Sequence, residues 1–105
     1  MIYEEIADRI SLEEDGVAIS TMMKSPCLRN EGEFFAMDSA KMDALIVKLP
    51  PDRVDTLIAS GEELEFNFTK KKFREWVMIP RGREDAYEGF IREALAYSRS
   101  RKAGI

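Results

Sequence analysis

Five apolar runs with strand-like spacing lie so close together along this chain that most can be joined only by short turns. Val17, Ile19, Thr21 and Met23 alternate with Ala18, Ser20 and Met22. Phe34 to Met37 is apolar on both faces, as a central strand requires. Leu45, Val47 and Leu49 alternate with Ile46 and Lys48, and Leu64, Phe66 and Phe68 with Glu63, Glu65 and Asn67. Trp76 and Met78 stand opposite Val77 and Ile79. Period two is the signature of a strand. Parallel neighbours need a long crossover, so short connections select antiparallel pairing.

Breakers set the ends of these runs. Pro26 cannot donate to a ladder, so a bend or bulge is expected near Ser25-Pro26, with Cys27 to Asn30 resuming as an extended segment. Asn30-Glu31-Gly32 reads as a tight turn. Thr69 to Lys72 reads as a basic loop.

Helical periodicity brackets and divides the strands. Ile2, Ile6 and Ile10 share one face of a helix over 2–13, which Asp15-Gly16 ends. Pro50-Pro51-Asp52 opens a second helix carrying Val54, Leu57 and Ile58, and Gly61 closes it. Glu84 to Arg101 is the third, with Tyr87, Phe90, Ile91, Ala94, Leu95 and Ser98 in one stripe. Its acidic start and basic end both suit the helix dipole. The order is α-β-β-β-α-β-β-α. This predicts a single α+β domain over 1–105, a two-layer sandwich with a five-stranded antiparallel sheet and helices packed on one face.

Charge is unevenly spread. Residues 1–69 hold 6 basic and 15 acidic residues, a net of −9, and residues 70–105 hold 10 basic and 5 acidic, a net of +5. Such a division means either pairing between the two parts within the fold or two patches used on partners. The chain has no histidine. This removes the common general base of neutral-pH catalysis and the commonest metal ligand. Its one cysteine, Cys27, cannot form an internal disulfide, which fits a reducing compartment. No apolar run approaches the ~20 residues of a membrane span. Glu4, Glu5 and Asp8 stand where a secretory signal would be basic. A cytoplasmic location is therefore expected.

Several stretches resemble one family. Thr21-Met22-Met23-Lys24-Ser25-Pro26-Cys27-Leu28-Arg29 precedes Gly32-Glu33-Phe34-Phe35-Ala36-Met37. Leu45-Ile46-Val47-Lys48-Leu49-Pro50, the helix from Asp52 to Gly61, Arg74-Glu75-Trp76-Val77-Met78-Ile79-Pro80 and Ala94-Leu95-Ala96-Tyr97 follow in order. From Val17 to Ser98 the chain resembles the TfoX N-terminal domain and the similar MmcQ/YjbR-type small proteins. The resemblance implies a secretion-chaperone-like two-layer fold and a non-enzymatic regulatory or interaction role. Two positions depart from the family pattern: Lys70-Lys71-Lys72-Phe73 replaces a Gly-Arg-Pro-Met stretch, and Lys24 replaces a glycine.

The residues suggest three surfaces for chemistry. Cys27 has Lys24 and Arg29 nearby but no histidine to activate it, so it reads as structural. Glu62, Glu63 and Glu65 read as the wet face of a strand, without a calcium-loop pattern. Lys70, Lys71, Lys72, Arg74, Arg81 and Arg83 are the candidate binding residues, for nucleic acid or an acidic partner. With Phe73 and Trp76 they would mix charge and aromatic faces as single-strand binders do. Against this, Trp76 is itself a core candidate, and the chain as a whole is acidic. No catalytic, metal or cofactor motif is present. The expected function is a non-enzymatic module that binds a protein partner or a second copy of itself. Nucleic-acid binding through 70–83 is the second reading, and a small-molecule-binding protein or enzyme of unassigned class is the third.

Overall fold

Alternation along the strands separates a helix-covered face from a second one over which no helix is described, and this division organises the whole fold. A computed structural model describes residues 2–22, 24–59, 64–68 and 71–103; for 22, 64–68, 71–74, 102 and 103 it describes the backbone alone. The chain runs α1 (Ile2–Glu13), β1 (Val17–Met22), β2 (Ser25–Asn30), β3 (Glu33–Ser39), β4 (Ala44–Lys48), α2 (Pro51–Ala59), β5 (Leu64–Phe68) and β6 (Lys71–Pro80). A 3-10 turn, Glu84–Ala86, then leads into α3 (Tyr87–Ala103). The strands form one sheet in the order β1-β2-β3-β4-β6-β5, with every pairing antiparallel.

The α+β class, the antiparallel sheet and the three helices are as the sequence indicates. The sheet gains a sixth strand, because Ser25 to Asn30 forms a full strand paired with β1 from Met22↔Ser25 to Val17↔Asn30. Pro26 is accommodated because β3 pairs with β2 only from Cys27 onward, leaving that end bonded on one side. The expected irregularity lies further along, as a register shift between Leu28 and Arg29. β6 also begins at Lys71, so part of the basic segment is strand rather than loop.

Turn chemistry closes the hairpins. Glu31 and Gly32 between β2 and β3 both have positive φ, 50° and 89°, as a type I′ hairpin turn requires. Lys24, between β1 and β2, also adopts a left-handed φ of 69°. Asp43 before β4 does the same at 55°, its N–H donating to the Ala40 carbonyl at 3.2 Å.

One core cluster joins all three helices to one face of the sheet. Tyr3, Ile6, Ala7 and Ile10 of α1, Val54 and Leu57 of α2, and Tyr87, Phe90, Ile91, Ala94 and Leu95 of α3 pack with Leu28, Phe35, Ala36, Leu45, Val47, Val77 and Ile79. The α3 stripe is the one expected. On α1 the buried stripe begins at Tyr3, while Ile2 is about half exposed. Three arginines tie α1 and its C-terminal turn to α3: Arg9 to Glu88, Arg92 to Glu13 and Glu14, and Arg99 to Glu14.

Candidate functional site

The second face of the sheet holds the most distinctive grouping of side chains. Cys27, Met37, Ile46 and Met78 form a row across β2, β3, β4 and β6, and Lys48 and Trp76 are partners in the next row. None of the six belongs to the core cluster shared with the helices. Cys27 and Ile46 are buried, whereas Phe34, Met37, Trp76 and Met78 are half-buried. The Phe34 and Trp76 rings stack with centroids 4.9 Å apart, and the Lys48 ammonium lies 5.5 Å from the Trp76 centroid. Because of the bulge, Phe35 enters the core while Phe34 stays on the open face. Trp76 is therefore outside the helix-covered core, on the side of the sheet that its alternation with Val77 implies.

Among the described residues, the cations of this face already have partners within the chain. Lys48 pairs with Glu33 at 3.5 Å. Arg29 reaches across to the Ser20 hydroxyl at 3.3 Å and the Gly32 carbonyl at 3.1 Å.

Of the candidate basic residues, Arg81 and Arg83 have described side chains. Lys70 lies outside the described residues; Lys71, Lys72 and Arg74 are placed in β6 by backbone only. Arg81, just beyond β6, turns toward β3 and α3. Its Nη1 donates to Asp38 Oδ1 at 2.6 Å and to the Tyr87 hydroxyl at 3.2 Å, and Asp43 lies 3.4 Å from its Nε. Burial alone would lower the Arg81 pKa, but Tyr87 and Asp38 outweigh it and hold the group firmly protonated. Arg83 follows in the turn before α3, its N–H donating to the Pro80 carbonyl at 3.3 Å.

Arg101, near the end of α3, shares the Glu33 carboxylate with Lys48 at the opposite end of β3, at 3.0 Å, and has Glu75 at 3.9 Å. Asp38 and Glu33 are five residues apart on that strand, about 16 Å at the usual rise. Among the described residues, Arg81, Arg92, Arg99 and Arg101 of the last third are thus paired with acids of the first part, which for these four is the internal-pairing reading of the charge division.

A polar cluster fills the Glu33 end. Asn30 and Ser98 are both buried. The Asn30 amide donates to Ser98 Oγ at 3.1 Å, and Ser98 donates to Glu33 Oε1 at 2.6 Å. Burial raises the Glu33 carboxyl, but the Ser98 hydrogen bond and the charges of Lys48 and Arg101 outweigh it and hold it below its ordinary range. The Tyr97 hydroxyl donates to Glu75 beside this cluster.

The remaining candidates are quiet. Cys27 is fully buried, which removes the exposure a reactive thiol needs. Glu62 and Glu63 lie outside the described residues, and Glu65 is placed by backbone only. Among the described residues no group of three or more Cys, Asp or Glu side chains is arranged to hold a metal, and no helix is long and apolar enough to cross a membrane. Nothing in the sequence joined Tyr3, Asp38 and Tyr87 to Arg81. They come from three separate elements, and only the fold brings them together. No protein-family model, curated protein or solved structure matches the chain.

Proposed function

We propose that this chain is a non-enzymatic interaction module that pairs with a second copy of itself through the uncovered face of its sheet. The observation that carries the reading is the half-buried group of Phe34, Met37, Trp76 and Met78 on a face with no described helix over it. Sheets readily pack face to face. Contacts between like subunits favour apolar, aromatic and methionine-rich centres with few charges. A self-complementary surface also needs a centre that does not repel its own copy. Here the Lys48 charge is met by Glu33 within the same chain. The resemblance to the TfoX N-terminal and YjbR-type proteins agrees with this reading.

Light scattering and sedimentation over a wide concentration range test it. The wild-type chain is expected to dimerise, and Met78→Lys or Met37→Lys to hold it monomeric with the fold intact. A wild-type chain that stays monomeric at the highest concentration overturns the proposal.

One observation favours nucleic acid as a second reading: Trp76 stands outside the core, on the strand that Lys71, Lys72 and Arg74 open. Two weigh against it: Phe34 and Lys48 already engage the Trp76 ring, and Asp38 engages Arg81. This reading expects affinity for single strands that falls steeply with salt. No binding at low salt would end it.

A further inference from the structure

Beyond the open face of the sheet, the structure holds a cleft where α1, the end of β3 and the start of α3 meet. Its volume is about 180 Å³, and it is lined by Ile2, Tyr3, Asp38, Arg81, Glu84 and Tyr87. At ~30 Å³ per water in the liquid, that is room for a small organic molecule and too little for a nucleotide.

The lining is chemically one-sided. Asp38 and Glu84 bring two negative charges and Arg81 one positive charge, so the cleft is net negative by one. The Arg81 charge is already paired, since its Nη1 donates to Asp38 Oδ1 and the Tyr87 hydroxyl, and Asp43 lies beside its Nε. Glu84 uses Oε1 to accept the Gly82 N–H at 2.8 Å. Among the described residues nothing donates to Asp38 Oδ2 or Glu84 Oε2.

Tyr3 supplies the second, independent observation. The residue is only 4% exposed, and its hydroxyl has no hydrogen-bond partner among the described residues. An unsatisfied buried hydroxyl is uncommon in folded proteins and calls for a partner. Burial, then the nearby Cys27 and Asp38, push its pKa upward, so it remains a neutral phenol with a lone pair to give.

We propose that this cleft binds a small organic primary ammonium ion. Its three N–H groups match the three unused acceptors, Tyr3 Oη, Asp38 Oδ2 and Glu84 Oε2. Its single positive charge cancels the net charge of the lining. The half-exposed side chain of Ile2, also in the lining, receives a short hydrocarbon tail.

The test is an amide-resolved NMR titration of the full chain with n-butylammonium, and in parallel with n-butanol and butyrate, which share the tail but not the charge. The expected result is saturable shifts at residues 38–39 and 81–84 with n-butylammonium, with a dissociation constant in the millimolar range, and at least tenfold weaker effects with the other two. Tyr3→Phe, which keeps the ring, and Glu84→Gln, on the cleft margin, are each expected to weaken n-butylammonium severalfold while retaining a dispersed native spectrum. Absence of saturable shifts, equal response to n-butanol or butyrate, or unchanged binding in both folded variants overturns the proposal.

Discussion

Asn30 and Ser98 are 68 residues apart in the chain, yet the amide of one donates to the hydroxyl of the other in a buried contact of 3.1 Å. Ser98 in turn donates to Glu33, so one hydroxyl serves two groups of the β2–β3 hairpin. Ser98→Ala leaves both without their partner. Losing a buried hydrogen-bond partner costs about 1–3 kcal/mol, and equilibrium urea unfolding is expected to report a loss in that range with little change in slope.

The Glu33 carboxyl gives stability a direction in pH. Its pKa is depressed in the folded state, chiefly because Ser98, Lys48 and Arg101 outweigh the effect of burial. A depressed carboxylate contributes stability that is complete above its unfolded pKa and is lost as pH falls through the folded one. The contribution should therefore fade below the ordinary value of 4.5. Melting temperatures followed downward from pH 6 are expected to fall less steeply in Glu33→Gln than in the wild-type chain.

Two turn positions are expected to respond in opposite directions. Lys24 pays for a left-handed φ of 69°, and only glycine adopts that region without steric cost. Lys24→Gly is expected to stabilise by up to about 1 kcal/mol, the steric relief being partly offset by a freer unfolded chain. Gly32 has a φ of +89° and open space where a Cβ would sit. Gly32→Ala therefore isolates backbone strain, and a loss of about 1 kcal/mol is expected. Thermal or chemical denaturation of the two single variants checks both signs.

Cys27 is completely buried among β-strand neighbours. A thiol reagent can reach it only after the surrounding strands open. The native chain is expected to be inert to such a reagent, and to react stoichiometrically once unfolded in urea. Fast labelling of the native chain would show that β1–β2 opens locally.

Much of this architecture was legible because periodicity is a local property. The α3 stripe from Tyr87 to Ser98 and the alternation of Leu45, Val47 and Leu49 with Ile46 and Lys48 follow from backbone geometry alone. Pro26 obscured β2, because whether a proline is tolerated depends on which neighbouring strand needs its N–H, and that is a property of the sheet. Ile2 and Tyr3 both adjoin the Ile6 face of α1, and the packed helix buries Tyr3 and leaves Ile2 half exposed. The surface was harder to read than the core. Arg81 belongs by sequence to a basic segment, but its surroundings are set by Asp38, Asp43 and Tyr87, brought in from β3, the following turn and α3. The pairing of Phe34 with Trp76 was hidden for the same reason, since it crosses an intervening strand.

The arginine links between α1 and α3 bear on synthesis as well as on the finished fold. The first helix leaves the ribosome with Tyr3, Ile6, Ala7 and Ile10 ready for burial, but much of what they pack against arrives some eighty residues later. Until α3 emerges, α1 and one face of the nascent sheet carry uncovered apolar surface, the state most open to aggregation and to chaperone capture. Vectorial translation thus delays closure of the domain until α3 has emerged, and slowing the ribosome upstream of Glu84 would prolong its most vulnerable interval.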